Sequence, residues 1–161
     1  FLMNGDHRDL HVLTHSFPTR RSSDLNLIER IEGGLLSYGN EFTRENNPFE
    51  IGHGKFCVTD GSIDYIGRKA LQDIAAKGVT REMRGVTFDG GHCPTCSKPW
   101  PVMVGDTRVG QITSAIWSPR LKCNVGQSMI DRAFWDAGQA VTVQVQDGSV
   151  SNGIVTTLPM C

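Results

Sequence analysis

The chain has 161 residues, with 16 Lys and Arg against 17 Asp and Glu, and a formal net charge of −1. That balance gives no electrostatic footprint for nucleic acid or an anionic membrane surface, and no apolar run reaches the ~18 residues of a membrane span. The five cysteines (Cys57, Cys93, Cys96, Cys123, Cys161) are odd in number and irregularly spaced, unlike a secreted disulfide framework, so a reducing cytoplasm is the expected location.

Taken in chain order, residues 1–25 differ from everything after them. Gly5-Asp6-His7-Arg8-Asp9-Leu10-His11 and the run from His15 to Leu25 resemble the translation of a short-read sequencing adapter, with Val12-Leu13-Thr14 in the place of its index. The segment is read as an adapter-derived artefact, expected to be disordered. Its His7, His11, His15 and Arg20-Arg21 are therefore not taken as a metal site or a targeting leader.

Asn26 to Tyr38 is apolar with Gly33-Gly34 in its middle, which predicts an extended segment that passes close to another backbone. Tyr38 to Pro48 is loop-like, and Ile51 to Val58 reads as a short strand. Asp64 is placed to cap a helix in which Ile66, Ala70, Leu71 and Ile74 recur at helical spacing, and Gly78 suits its C-terminal end. This is the one helix the pattern predicts.

From Arg81 the texture becomes β-rich. Strands are predicted at Met83–Phe88, Pro101–Val104, Arg108–Ile116, Ala140–Val145 and Gly153–Leu158. Turn residues separate them at Asp89-Gly90-Gly91, Gly105-Asp106 and Asp147-Gly148, the last a hairpin signal. Strands at that spacing predict a small barrel or sandwich, so the fold class is mainly β with one helix. The barrel domain is assigned to 81–161. Residues 26–80 hold too few elements for a core and read as the last part of a larger α+β domain.

The motifs in this frame resemble the folate-dependent aminomethyltransferase family of the glycine cleavage T-protein. Arg30-Ile31-Glu32-Gly33-Gly34 is followed by Ser37-Tyr38-Gly39-Asn40-Glu41. Asn47-Pro48-Phe49-Glu50, Asp64 to Leu71, Val109 to Ala115, Trp117-Ser118-Pro119, Asn124-Val125 and Leu158-Pro159-Met160 then come in the family's order. Within the family the stretch from Asn26 to Asn40, with Thr43-Arg44-Glu45-Asn46 and Gly54-Lys55-Phe56-Cys57, is most similar to the dimethylsulfoniopropionate demethylase branch. The T-protein pattern has an Arg six residues before the motif Glu, where this chain has Asn26. Cys93-Pro94-Thr95-Cys96 is not firmly associated with the demethylases.

The resemblance implies the C-terminal aminomethyltransferase-type barrel and the end of a folate-binding domain, with tetrahydrofolate as cofactor and a small-molecule methyl donor as partner. Demethylases of this branch move a methyl group from a sulfonium to tetrahydrofolate; the alternatives are a T-protein or a non-catalytic folate-binding relative. A sulfonium is a good leaving group, so the protein has mainly to hold donor and acceptor in line, beside an apolar or aromatic wall that suits a cation. The family's catalytic Asp and its folate motif would lie upstream of Asn26, so no catalytic residue is expected here and the chain by itself should be inert. A free-standing β-barrel binding module is the rival from another class; neither a basic stripe nor an aromatic stacking platform supports it.

The resemblance places Glu32 beside the folate cavity; otherwise it pairs with Arg30 or caps a turn. Tyr38 is a second cavity candidate or a packed aromatic. Trp117, on a loop facing the folate domain, closes the site or simply packs between domains. Arg30 and Arg68 read as structural ion-pair partners. Cys93 and Cys96 admit a zinc knuckle, but a structural zinc site usually needs about four ligands and only one knuckle is present. The plainer reading of that pair is a tight turn.

Overall fold

Six strands form one closed antiparallel barrel: β1 Arg81–Phe88, β2 Trp100–Val104, β3 Thr107–Ser118, β4 Cys123–Asp131, β5 Ala140–Gln144 and β6 Val150–Thr156. Around the ring their order is β1-β4-β3-β2-β5-β6, and β6 pairs back onto β1. The computed structural model describes residues 26–61 and 63–160, so the adapter-like residues 1–25 and Cys161 lie outside the described residues.

Side-chain alternation fills the interior. Val86 and Phe88 of β1, Trp100 and Val102 of β2, Ile112 of β3, Val143 of β5 and Val155 of β6 are all buried in one cluster. Phe88 and Trp100 meet edge to face at 6.3 Å between ring centroids, a geometry that adds to their area burial. Phe134 and Trp135 pack on this cluster from the short 3-10 turn after β4, and Cys93 and Cys96 pack on it from the β1–β2 loop.

Five of the six strands lie where alternation predicts them, and the hairpin turn between β5 and β6 falls at Asp147-Gly148. Strand β4 was not predicted. Its sequence, Cys-Asn-Val-Gly-Gln-Ser-Met-Ile-Asp, alternates poorly because both of its faces are buried. The inner face meets the core at Ile130, and the outer face, with Val125, Gln127 and Met129, is covered by other parts of the chain.

That cover comes from residues 26–50, and here the expected extended segment is corrected. Leu27–Glu32 is a short helix, α1. The Asn26 side chain caps it by accepting from the Glu29 N–H at 2.9 Å, and the Gly33 N–H closes its end on the Glu29 carbonyl. Ile31 is completely buried, and α1 contacts β3 and β4 alone among the strands with substantial contact. Gly33-Gly34 marks the end of the helix rather than the middle of a strand.

Two further local readings change. Ile51 to Val58 is a turn with a 3-10 segment at Gly54–Phe56, not a strand. The predicted helix exists as α2, Arg68–Lys77, but Gly67 at φ 90° occupies its N-cap, and Asp64 lies outside the helix. Gly78, at φ 74°, ends it as the sequence suggests. None of the ten residues of α2 is buried. The segment leading into it exposes large apolar side chains, among them Phe56, Val58, Ile63 and Ile66.

Candidate functional site

Two buried carboxylates from residues 26–50 are received by the outer face of β3, and each finds a serine there. Glu32, the last residue of α1, accepts a short hydrogen bond from Ser118 Oγ at the end of β3. Its other oxygen accepts from Arg120, with Nε at 2.9 Å and Nη2 at 2.8 Å. Ser118 is itself oriented, because its hydroxyl oxygen accepts the Leu121 N–H at 2.9 Å and so directs its single proton at Glu32. The backbone is tied here as well: the Met160 N–H donates to the Glu32 carbonyl at 2.8 Å.

The second carboxylate is Glu41. It pairs with Arg30 Nη1 at 3.0 Å and accepts from Ser114 Oγ, from the Ser37 N–H and from Asn40 Nδ2. Ser114 in turn accepts from Arg30 Nη2 at 2.7 Å and Asn40 Nδ2 at 2.8 Å. Gln127, fully buried on β4, donates its amide to the carbonyls of Arg30, Ile31 and Leu35. A buried carboxylate is tolerated only when paired and hydrogen-bonded, and both sites meet that condition.

The pairing predicted for Glu32 with Arg30 is thus replaced. Arg30 belongs to Glu41, while Glu32 belongs to Ser118 and Arg120. Arg68, expected in an ion pair, donates instead to the Ile63 and Gly61 carbonyls. Tyr38 stands on the surface, 63% exposed, with its ring edge-on to Phe42 at 5.6 Å. Trp117, expected on a loop, lies in β3 just before Ser118 and so points to the opposite face of the strand from the serine that holds Glu32. Its ring stacks on His92 at 4.7 Å and 18°. The loop carrying His92 is held by Asn124, whose amide donates to Gly91 O at 2.8 Å and whose oxygen accepts the Cys93 N–H at 3.0 Å.

Cys93 and Cys96 seal the barrel end beside this loop. Burial pushes both thiols up, that of Cys96 to about 11, where the nearby Cys93 and Glu41 charges add to the effect. A thiol held protonated is a poor nucleophile at neutral pH. Among the described residues, no group of three His, Cys, Asp or Glu side chains is placed to hold a metal ion. Cys123, paired across β3–β4 with Ser118, is also raised by burial, with Asp89 and Glu32 contributing.

A cleft of about 580 Å³ lies elsewhere, across β1, β6 and β5 between Thr87, Ile154, Ala140 and Met160. It contains none of Glu32, Tyr38 or Trp117. Ser118, Arg120, Ser114 and Gln127 went unassigned in the sequence. Nothing local marks them, since their partners lie 86, 88, 84 and 97 residues away.

Fold and site together define a β-barrel closed against a glutamate-bearing segment that ends in Gly-Gly. Residues 81–160 match the glycine cleavage T-protein C-terminal barrel domain, and the chain belongs to that family. It is 46% identical to the dimethylsulfoniopropionate demethylase of Ruegeria pomeroyi over 123 residues, 76% of this chain and 33% of that protein. It is 33% identical to the aminomethyltransferase of Bacillus pumilus over 128 residues, 80% of this chain and 34% of that one. The chain therefore spans about a third of the length of these curated relatives. The crystal structure of glycine cleavage system aminomethyltransferase T from Bartonella henselae superposes with a TM-score of 0.66 at 18% identity, over 98% of this chain and 44% of that one. That likeness concerns the fold.

Proposed function

We propose that this chain is the C-terminal part of a tetrahydrofolate-dependent methyltransferase that demethylates dimethylsulfoniopropionate, giving 5-methyltetrahydrofolate, and that the chain by itself is inactive. The observation that carries the reading is the step in identity, 46% over 123 residues to the demethylase against 33% over 128 residues to the aminomethyltransferase of B. pumilus. The reading takes the methyl donor as the small-molecule partner and a cytoplasmic location; among the described residues no helix is long and apolar enough to cross a membrane.

Taken alone, the residues present do not form a folate pocket: Glu32 is buried with Ser118 on one oxygen and Arg120 on the other, which ties α1 to the end of β3. Trp117 is stacked on His92 on the other face of β3, and Tyr38 is exposed, so neither adjoins the Glu32 carboxylate. When bound, tetrahydrofolate supplies the nitrogen that takes up the one-carbon unit. This reading places the catalytic group, and most of the folate site, in the two thirds of the relatives that this chain does not span.

The test joins residues 26–161 behind the portion of the R. pomeroyi demethylase that precedes the matched region, and follows methyl transfer from dimethylsulfoniopropionate to tetrahydrofolate. The folded fusion should turn over and the 161-residue chain alone should not. A fusion that is folded but accepts only a glycine-derived aminomethyl group would move the assignment to the T-protein. Turnover by the chain alone would remove the claim that its catalytic part lies elsewhere.

A further inference from the structure

We propose that the cleft across the outer face of β1, β6 and β5 binds a slender organic monocation, a primary alkylammonium whose hydrocarbon chain lies along the sheet and whose ammonium group meets Asp89. The site uses none of Glu32, Tyr38 or Trp117 and does not depend on the folate reading.

Strand pairing lays the floor of the cleft. Thr87 of β1 sits opposite Ile154 of β6, which sits opposite Ala140 of β5. Further along, Asn152 pairs with Thr142, and Thr142 with Met103 of β2. Alternation turns these residues away from the core, because their chain neighbours Phe88, Val141, Val143 and Val155 belong to it. Small side chains at Thr87, Ala140 and Thr142 keep the floor low, and taller groups stand around it. Leu121 comes from the turn between β3 and β4, and Val104-Gly105 from the turn between β2 and β3. Met160 forms a side. Its N–H is tied to the Glu32 carbonyl at 2.8 Å, and its side chain lies over Gly85, where an added Cβ would come within 2.7 Å of Met160 Cγ. The space left, about 580 Å³, is of the size that holds a small organic ligand.

The lining sets the charge of what fits. Asp89 is the one charged residue of the cleft, and no Lys, Arg or His lines it. Among the described residues Asp89 makes no ion pair. It continues the outward side of β1 after Thr87, and its N–H donates to the Asn152 carbonyl at 2.9 Å, which holds it at the cleft. Its charge is felt at Cys123, a wall residue whose thiol is pushed up by burial first and by Asp89 next. The carboxylate therefore borders the cleft. Most of the remaining lining is apolar, with the thioethers of Met103 and Met160 as adaptable walls. The one aromatic ring, Phe88, is turned into the core, so the cleft lacks the exposed aromatic face that a quaternary ammonium seeks. Asp89, Asn152 and Thr142 offer oxygen acceptors instead, and the Asn152 and Thr142 side chains have no hydrogen bond among the described residues. A cation that carries N–H donors on a hydrocarbon body matches both the acceptors and the walls.

The experiment titrates the 161-residue chain with n-hexylammonium, and with n-hexanol and hexanoate as its neutral and anionic counterparts, reading amide and methyl shifts by NMR. Hexylammonium should bind with shifts gathered at Asp89, Asn152 and Ile154, about fivefold more tightly than hexanol, as expected of one exposed ion pair. Hexanoate should bind more weakly than either. Asp89→Asn should erase the preference for the cation and leave hexanol binding as it was. Ala140→Phe, which raises the floor, should weaken all three, and Asp136→Asn, a carboxylate outside the cleft, should change none. Added salt should shrink the advantage of hexylammonium over hexanol.

Equal affinities for hexylammonium and hexanol, or a preference that survives Asp89→Asn, overturns the cation assignment. Absence of saturable binding by all three probes, or binding that Ala140→Phe leaves intact, overturns the site itself. If the spectrum of Asp89→Asn shows it unfolded, the salt dependence of the wild-type chain decides, and a preference that persists at high salt overturns the role of Asp89. Ala140→Met replaces an unfolded Ala140→Phe, judged on the same affinities. Methyl transfer by the fusion described above is unaffected by any of these outcomes.

Discussion

In the barrel, Val86, Phe88, Trp100, Val102, Ile112 and Val143 are each 2% exposed or less, whereas the ten residues of α2 bury none. The two regions have similar shares of apolar residues to the eye, yet only one has a core. Between them lies residues 26–50, which docks on β3 and β4 through Ile31 and then through two polar networks. The contrast separates burial that a fold supplies for itself from burial that needs a neighbouring surface. The barrel's strands face one another around a ring, so their inner side chains have partners at every position. The residues flanking 51–79 are tied to the barrel by backbone bonds, the Met83 N–H to Glu50 O and the Arg132 N–H to Thr80 O.

The contrast can be tested first at its strongest point. Phe88→Ala removes a ring that is 2% exposed and stacked edge-on to Trp100, and should cost about 3–5 kcal/mol of unfolding free energy in urea melts. A loss no larger than that of a surface substitution would mean that the barrel is not the stable unit.

A smaller effect is expected at the barrel end. The Cys96 thiol, raised by burial to about 11 from the usual 9.0, stays protonated in the folded chain at pH values where the unfolded chain ionises. The folded state then binds more protons, so stability should fall as pH rises from about 9 to about 11 and be unaffected below that window. Urea melts of the wild type and Cys96→Ser at about pH 8 and about pH 10.5 isolate this contribution: the fall should be shallower in the variant. Equal slopes would mean that the thiol titrates as it does in the unfolded chain.

The smallest effect belongs to the segment without a core. Ile66 is fully exposed, at 105%, so Ile66→Asp should change the melting free energy by less than about 0.5 kcal/mol while reducing self-association in sedimentation. A marked loss of stability would show that Ile66 is covered in solution.

The same contrast explains what could be read from the chain. Strands β1, β2, β3, β5 and β6 carry short β-branched or alternating apolar runs between turn residues, a signal that a single sequence shows. Strand β4 does not, because Gln127 faces carbonyls of α1 and Ser128 bonds the Gln111 carbonyl, so its polar residues are buried and satisfied. Helix α1 was hidden by Gly33-Gly34, although Asn26 and the Leu27, Ile28, Ile31 spacing carried a cap and a face. At the site, the motif resemblance singled out Glu32, Tyr38 and Trp117; the fold docks Glu32 at the end of β3, turns Trp117 to that strand's other face and leaves Tyr38 exposed. The residues that hold Glu32 were out of reach because hydrogen bonds across more than 80 positions leave no periodic trace.

Closure of the ring has a further consequence. Each of the six strands is hydrogen-bonded on both sides, so the sheet offers no unpaired row of N–H and C=O groups to an incoming chain. Amyloid-like growth by strand addition is blocked unless the barrel first opens. Assembly of the folded molecule with anything else must proceed through side chains, and the apolar ones on offer are concentrated before Arg81.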